Sequence, residues 1–264
     1  MKNIYINDID YYYEDIGSKK DTILLLHGLG TTSESWLYQT AYFKNEYRII
    51  APDLRGEGKT SLGNMPYSFT LCADDIALLL NRLNIKKVHL CGFSLGGMIA
   101  CEFAVKYPQL VKSICIVNSL PFFNLNSPIY KIGYQIRRLI TRYIPLSIII
   151  IFMGWSLFPN HKELRKKLKK IEPEINRKGY IASLDAMFGW NIKDKFVKLD
   201  IPTLFIGSEF DYKIFNNKKN TVKKMKNAKY IEIPKAHHFV IWEYPQAYNV
   251  AYKKFLEPLK KGSD

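Results

Sequence analysis

Gly92-Phe93-Ser94-Leu95-Gly96-Gly97 is the segment whose residue types and spacing point most directly to chemistry. It follows the strand-like run KVHLC and opens the helix-like run MIACEFAVKY. A G-x-S-x-G element between strand and helix turns the chain so sharply that the serine hydroxyl is projected above the sheet. Such a serine sits in strained backbone, and glycines two residues to either side let neighbouring backbone come close. The following helix N-terminus offers free N–H groups and positive dipole to an oxyanion. The chemistry expected is attack of Ser94 on a carbonyl. A glycine-rich turn with a purely structural role is the competing reading.

A serine nucleophile needs a base, and the chain has five histidines. His89 falls inside a strand-like run, His161 lies beside lysines, and His27 precedes Gly28 on the loop leaving an early strand. The adjacent pair His237-His238, in PKAHHFVIWEYPQAY after the last strand-like run, remains, and the residues alone favour neither. The third member should be a carboxylate at a strand end, between nucleophile and base in chain order. Asp211 ends TLFIGSEFD, Glu209 competes two positions earlier, and Asp200 precedes that run. The end of the preceding strand carries Asn118 and Ser119, so no acid stands there. Cys72, Cys91, Cys101 and Cys115 form no metal-type spacing and read as buried free thiols in a reducing compartment. Neither a metal nor a cofactor is implied.

Elements able to position these residues recur along the chain. Apolar runs at Thr22–Gly28, Tyr47–Asp53, Lys87–Ser94, Ser113–Ser119, Thr203–Asp211 and Lys229–Pro234 read as strands, most of them covered on both faces. Helical spacing over Ala73–Leu83 and Gly96–Lys106 separates some of them, which implies crossover units and a mostly parallel sheet. IYINDIDYYYEDIG alternates and reads as an antiparallel hairpin at the sheet edge. From Leu120 to Lys195 helical segments dominate, broken at Pro121, Pro128, Pro145, Pro159 and Pro173. The expected division is a core of 1–120 and 195–264 with a helical lid over 121–194. Within the lid, Ile144–Phe158 is interrupted by Pro145 and falls short of the roughly 20 residues a bilayer span requires. It reads as a helix packed on the core. A greasy pocket wall and an interfacial contact, the latter aided by Arg137, Arg138 and Arg142, are the other options.

A chain of 264 residues can hold one large α/β domain with an insert, and 47% hydrophobic with 24% charged residues excludes general disorder. The net charge of +15 would suit nucleic acid or anionic lipid. The lysines, however, concentrate in Lys162–Lys170 and Asn216–Lys229, which read as solvated helix faces with no nucleic-acid module beside them. Asp8 and Asp10 interrupt an N-terminus with no apolar core, unlike a secretory signal, so a cytoplasmic location is expected.

Taken in order, LLLHGLG, APDLRGEGKTS, CGFSLGGMIACEFAVKYPQLV, IPTLFIGSEFD and HHFVIWEYPQAY resemble the α/β-hydrolase superfamily, particularly its small lid-bearing esterases and lactonases. The resemblance implies an α/β-hydrolase fold, with a mostly parallel sheet flanked by helices and a helical lid inserted between strands. The family's histidine stands five residues before the Glu of an ExP element; Glu243-Tyr244-Pro245 puts it at His238. A G-x-x-x-D pattern favours Asp211. The backbone N–H groups of Leu29 and Leu95 would form the oxyanion hole, with His27 holding its loop. His237 replaces a common Gly, and Glu57 stands where His is frequent. Asp53, Arg55 and Gly56 match a structural loop.

The function this implies is ester hydrolysis through an acyl-enzyme on a small molecule with a hydrophobic acyl or alcohol group. Phe122, Phe152, Trp155, Phe188 and Trp190 are the pocket candidates. Lactone opening, carbon–carbon bond hydrolysis or a lyase reaction would use the same triad, and a non-catalytic ligand-binding protein is the rival of a different class. No nucleic-acid partner is expected, and membrane-surface contact through the lid is the remaining option.

Overall fold

The computed structural model describes residues 1–123, 128–171 and 175–260; the expected break at Pro173 lies outside them. Eight strands form one sheet: β1 (Lys2–Ile6), β2 (Ile9–Ile16), β3 (Thr22–Leu26), β4 (Arg48–Pro52), β5 (Val88–Phe93), β6 (Val111–Val117), β7 (Thr203–Phe210) and β8 (Ala228–His237). Their order across the sheet is β1-β2-β4-β3-β5-β6-β7-β8. β1 pairs antiparallel with β2, and β2 antiparallel with β4. The other pairs are parallel. This is the fold class the strand–helix alternation implied.

Burial follows from residue type. Every residue of β3 and β5 is enclosed: the Ile-Leu run of β3 and the mostly apolar β5, VHLCGF, suit strands covered by helices on both faces. In β2 the alternation of Ile9, Tyr11 and Tyr13 against Asp10 hides one face only. The two-residue period sends Leu24, Leu26 and Leu90 into one core layer, and Ile23, Leu25 and Cys91 into the other. The first layer is closed by α2 (Phe69–Arg82) and α3 (Leu95–Lys106). The second is closed by α1 (Leu37–Phe43) and by the two last helices, Val240–Glu243 and Pro245–Lys260. α2 begins four residues before the run expected from spacing, because the Ser68 side chain caps it by accepting the Leu71 N–H.

Between β6 and β7 lie α4 (Pro128–Tyr143), α5 (Leu146–Leu157), α6 (Lys162–Ile171), α7 (Arg177–Met187) and α8 (Lys193–Phe196). The two ends of this insert are tied together. Phe123 N–H donates to the Trp190 carbonyl at 3.0 Å, and Ile192 N–H donates to that of Pro121 at 3.0 Å. Pro128 opens α4 and Pro145 caps α5, both positions where a missing N–H costs nothing. The insert rests on the core through Phe158, which stacks on Trp242 at 6.2 Å, and through Tyr180, Leu184 and Met187. Among the described residues no helix is long and apolar enough to cross a membrane.

Candidate active site

Ser94 sits between the last residue of β5 and the first of α3, with φ 52° and ψ −116°. A positive φ is costly for a side chain with a Cβ, so the surroundings must impose it. They do so by close backbone approach. A Cβ at Gly92 would lie 2.3 Å from the Gly96 carbonyl oxygen, and one at Gly96 would lie 2.2 Å from that of Leu26. Only glycine permits this crowding. Ser94 N–H is bonded to the Val117 carbonyl at 2.9 Å, and Ser119 Oγ donates to the Ser94 carbonyl at 2.7 Å.

His238 immediately follows β8. Its Nε2 stands 3.0 Å from Ser94 Oγ and its Nδ1 stands 2.6 Å from Asp211 Oδ1, so residues separated by 144 and 27 positions meet at one end of the sheet. The ring is held between Tyr212, with centroids 4.5 Å apart, and Phe93, at 5.2 Å, while Phe215 stacks nearly parallel at 5.6 Å. Asn118 Nδ2 fixes the backbone behind it, donating to the His238 carbonyl at 2.7 Å. Thus Asn118 and Ser119, considered in the sequence only as lacking a carboxylate, brace His238 and Ser94 respectively.

Asp211 follows β7, and its side chain is almost wholly enclosed. Burial opposes its ionisation, yet the adjacent His238 imidazole and the Lys218 ammonium together hold its carboxyl below the ordinary aspartate value. Lys218 forms an ion pair with Oδ2, and the Tyr212 N–H donates to Oδ1 at 2.8 Å. The competitors are engaged elsewhere: Glu209 is exposed and accepts the Lys235 N–H, and Asp200 pairs with Lys226. The sequence reading of Asn216–Lys229 as a solvated face is therefore corrected at Lys218. A signal was present, since Phe215, Lys218, Thr221 and Met225 recur at helical spacing and all are buried.

The other histidines have structural surroundings. His27 is fully buried; its Nε2 accepts the Leu54 N–H at 2.9 Å and its Nδ1 lies 2.9 Å from the Gly28 carbonyl. Burial lowers its pKa, in keeping with a neutral loop strut. His237 turns away from Ser94, its Nδ1 2.9 Å from Glu243 Oε1, and His161 Nε2 reaches the same oxygen at 3.3 Å. His89 packs against Ser113 and Asp21. In the loop after β4, Asp53 accepts the Ser33 and Lys59 N–H groups, and Arg55 is buried in an ion pair with Asp75 at 2.6 Å.

Ser94 and His238 open onto a cavity of about 1050 Å³ beneath α4 and α5. Leu29 and Leu95 line it with Ser94, as do Phe152, Met153 and Ile148 from α5. Four of the five aromatic residues expected in its wall are elsewhere. Phe122 is buried at the tied ends of the insert beneath Lys193. Trp155 faces outward under the Arg165 guanidinium. Phe188 lies against Tyr134, and Trp190 packs on Phe69 while donating to Glu102 at 3.0 Å. Of the arginines, Arg137 lines the cavity, Arg138 pairs with Asp185, and Arg142 is exposed. Among the described residues no group of His, Cys, Asp and Glu is arranged to hold a metal ion.

The parallel sheet, the strained serine turn and the His–Asp contact define a hydrolase-type framework. A family profile of the alpha/beta hydrolase fold matches residues 21–245, and the chain belongs to that family. It is 24% identical over 268 aligned positions to a putative 2-succinyl-6-hydroxy-2,4-cyclohexadiene-1-carboxylate synthase of Bacillus subtilis, covering 96% of this chain and 97% of that protein. It is also 24% identical to 3-oxoadipate enol-lactonase 2 of Acinetobacter baylyi, with 95% and 94% covered. Among solved structures, a thermophilic esterase from Thermogutta terrifontis with malate bound superposes with a TM-score of 0.86 at 25% identity, covering 98% of this chain and 99% of that one.

Proposed function

We propose that this protein hydrolyses a carboxylic ester of a small molecule through an acyl-enzyme, with Ser94 as nucleophile, His238 as general base and Asp211 as the orienting carboxylate. The carrying observation is the continuous contact Ser94 Oγ–His238 Nε2–His238 Nδ1–Asp211 Oδ1, at 3.0 and 2.6 Å, on the floor of a largely apolar cavity. Asp211 is ionised and enclosed, so it selects the tautomer with the proton on Nδ1 and leaves the Nε2 lone pair toward the hydroxyl. Ser94 Oγ attacks the ester carbonyl carbon as its proton passes to Nε2. The oxyanion is received by the backbone N–H groups of Leu29 and Leu95. The alcohol leaves with the proton from Nε2, and water deprotonated by His238 then releases the acid and restores Ser94. Removing one such donor typically costs about 10² to 10³ in rate.

The insert over 121–194 serves as a lid on a core of 1–120 and 195–264, and its apolar underside takes a hydrophobic acyl or alcohol group. A lactone would open by the same route, with the leaving alcohol tethered to the acyl group; the enol-lactonase relative supports that extension. Four unpaired cysteines, all buried, support a cytoplasmic setting.

The outer face of the lid favours one more partner. Ile132, Ile136, Leu139 and Tyr143, spaced as one stripe of α4, are exposed and stand outside the cavity, and Lys131 and Arg142 flank them. With a chain charge of +15, this stripe fits an anionic lipid surface.

A fluorophosphonate probe and p-nitrophenyl esters of increasing chain length test the main reading. Native protein should be labelled at one site and Ser94→Ala at none, with turnover rising beyond acetyl esters. An unlabelled native protein favours a binding protein, and turnover confined to acetyl esters rejects the hydrophobic pocket.

A further inference from the structure

Among the described residues the cavity wall contains two cations, Arg137 and Lys213, and no aspartate or glutamate. Both keep solvent exposure, and Arg137, from the third turn of α4, borders the cavity beside Tyr180. Its Nη2 donates to Tyr180 Oη at 2.7 Å, and a neutral phenol is the hydrogen-bond partner it has among the described residues. Among the described residues the nearby carboxylates are committed: Asp185 to Arg138, and Asp211 to His238 and Lys218. A guanidinium that borders an apolar cavity with no carboxylate partner among the described residues presents a planar fork shaped for a carboxylate.

Its position relative to the reacting atoms is fixed by two tyrosines. The Tyr180 ring rests on Gly30, where a Cβ would lie 2.8 Å from Cε2, and Gly30 follows Leu29 in the proposed oxyanion loop. The Tyr212 ring packs on His238, and Arg137 is close enough to bear on the ionisation of its hydroxyl. Arg137 and Ser94 thus line the same cavity, and the Tyr180 side chain bridges the cation to the loop of Leu29 and Gly30. Among the described residues the Tyr180 hydroxyl directs its own hydrogen at Met153 Sδ, 3.8 Å away, a weak acceptor that an anion would displace.

We propose that Arg137, with Tyr180 beside it, is a carboxylate-binding subsite, and that the substrates are acidic esters or lactones whose carboxylate lies a short chain from the scissile carbonyl. This rests on the hydrolase reading above. The apolar remainder of the cavity then holds the rest of the molecule.

The test compares p-nitrophenyl hemi-esters of succinate, glutarate and adipate with p-nitrophenyl butyrate, valerate and hexanoate, which match them in chain length. In native protein the best hemi-ester should exceed its neutral counterpart in kcat/KM by about tenfold or more, the scale of one hydrogen bond to a charged group. Arg137→Met should bring that ratio to about one or below, and Arg137→Lys should restore part of it, because charge returns without the bidentate fork. Glutarate or adipate should also raise the Tm of native protein but not that of Arg137→Met, a readout independent of turnover. A native ratio below one, or a ratio unchanged in Arg137→Met, overturns the subsite; the native ratio decides even if the variant fails to fold. Fluorophosphonate labelling with no acid preference removes the subsite alone. Absence of both labelling and ester turnover removes the hydrolase reading with it.

Discussion

Lys218 and Asp211 form an ion pair in which the two side chains keep only 4% and 1% of their free exposure. The carboxylate that faces His238 through Oδ1 is thereby held from behind through Oδ2, so its rotation is fixed by the imidazole on one side and the ammonium on the other. Lys218 never approaches the cavity space over Ser94, and its influence passes entirely through Asp211.

Replacing Lys218 by Met leaves a buried carboxylate with one charge partner fewer. Breaking such a pair from one side costs about 3–5 kcal/mol, and the turnover of any cleaved ester should fall with it. Lys218→Arg should recover most of both losses. Calorimetry beside ester kinetics checks this, and a Lys218→Met protein with native Tm and native kcat would contradict it.

Strain at Ser94 gives a prediction in the opposite sense. Residues held in unfavourable backbone regions store about 1–3 kcal/mol, while glycine there loses about 0.5–1 kcal/mol in chain entropy. Ser94→Ala keeps the Cβ at φ 52°, whereas Ser94→Gly releases it. Both variants lack the hydroxyl, so neither should be labelled. The glycine variant should nevertheless be more stable than the alanine one by about 1 kcal/mol, or roughly 2–4 °C in a chain this long. Equal melting temperatures would mean the turn is unstrained.

Glu57 carries the pH dependence. Its carboxyl is fully buried, and burial raises its pKa to about 8, with Asp53 adding to the effect and the Gly30 N–H opposing it. The folded protein keeps this proton up to about pH 8, whereas the unfolded chain releases it near 4.5. The group's contribution to stability is thus complete below pH 4.5 and is lost progressively up to about pH 8. Glu57→Gln removes that slope, which is at most about 1.4 kcal/mol per pH unit. The variant should therefore gain on the native protein between pH 5 and 8. A Tm difference that is constant with pH would refute the argument.

The exposed apolar stripe of α4 predicts co-sedimentation with vesicles of mixed phosphatidylglycerol and phosphatidylcholine. Vesicles of phosphatidylcholine alone should capture less, and salt should release the bound protein. Ile136→Asp and Leu139→Asp should abolish the binding while ester turnover in solution persists. Binding that ignores lipid charge would reject the anionic-surface reading, and a concentration-dependent dimer would identify a second copy as the occupant.

Local features of the sequence were enough to locate the serine turn and the sheet. Glycine spacing around Ser94, the unbroken Ile-Leu run of β3, the apolar run leading into Ser94 in β5, and the alternating edge hairpin each report a constraint that acts within a few residues. Directions of side chains in the insert are not local in this way. α5, LSIIIIFMGWSL, is apolar all round, so its pattern has no polar face to orient it, and packing alone places Phe152 at the cavity's exposed edge and Trp155 outside it under Arg165. Likewise the residues alone left His237 and His238 equivalent. The fold separates them by giving one ring to Glu243 and the other to Ser94 and Asp211. Short-range sterics and burial period are written residue by residue, whereas the meeting of Asp211 with Lys218, or of Arg137 with the space above Ser94, exists only once distant segments have packed.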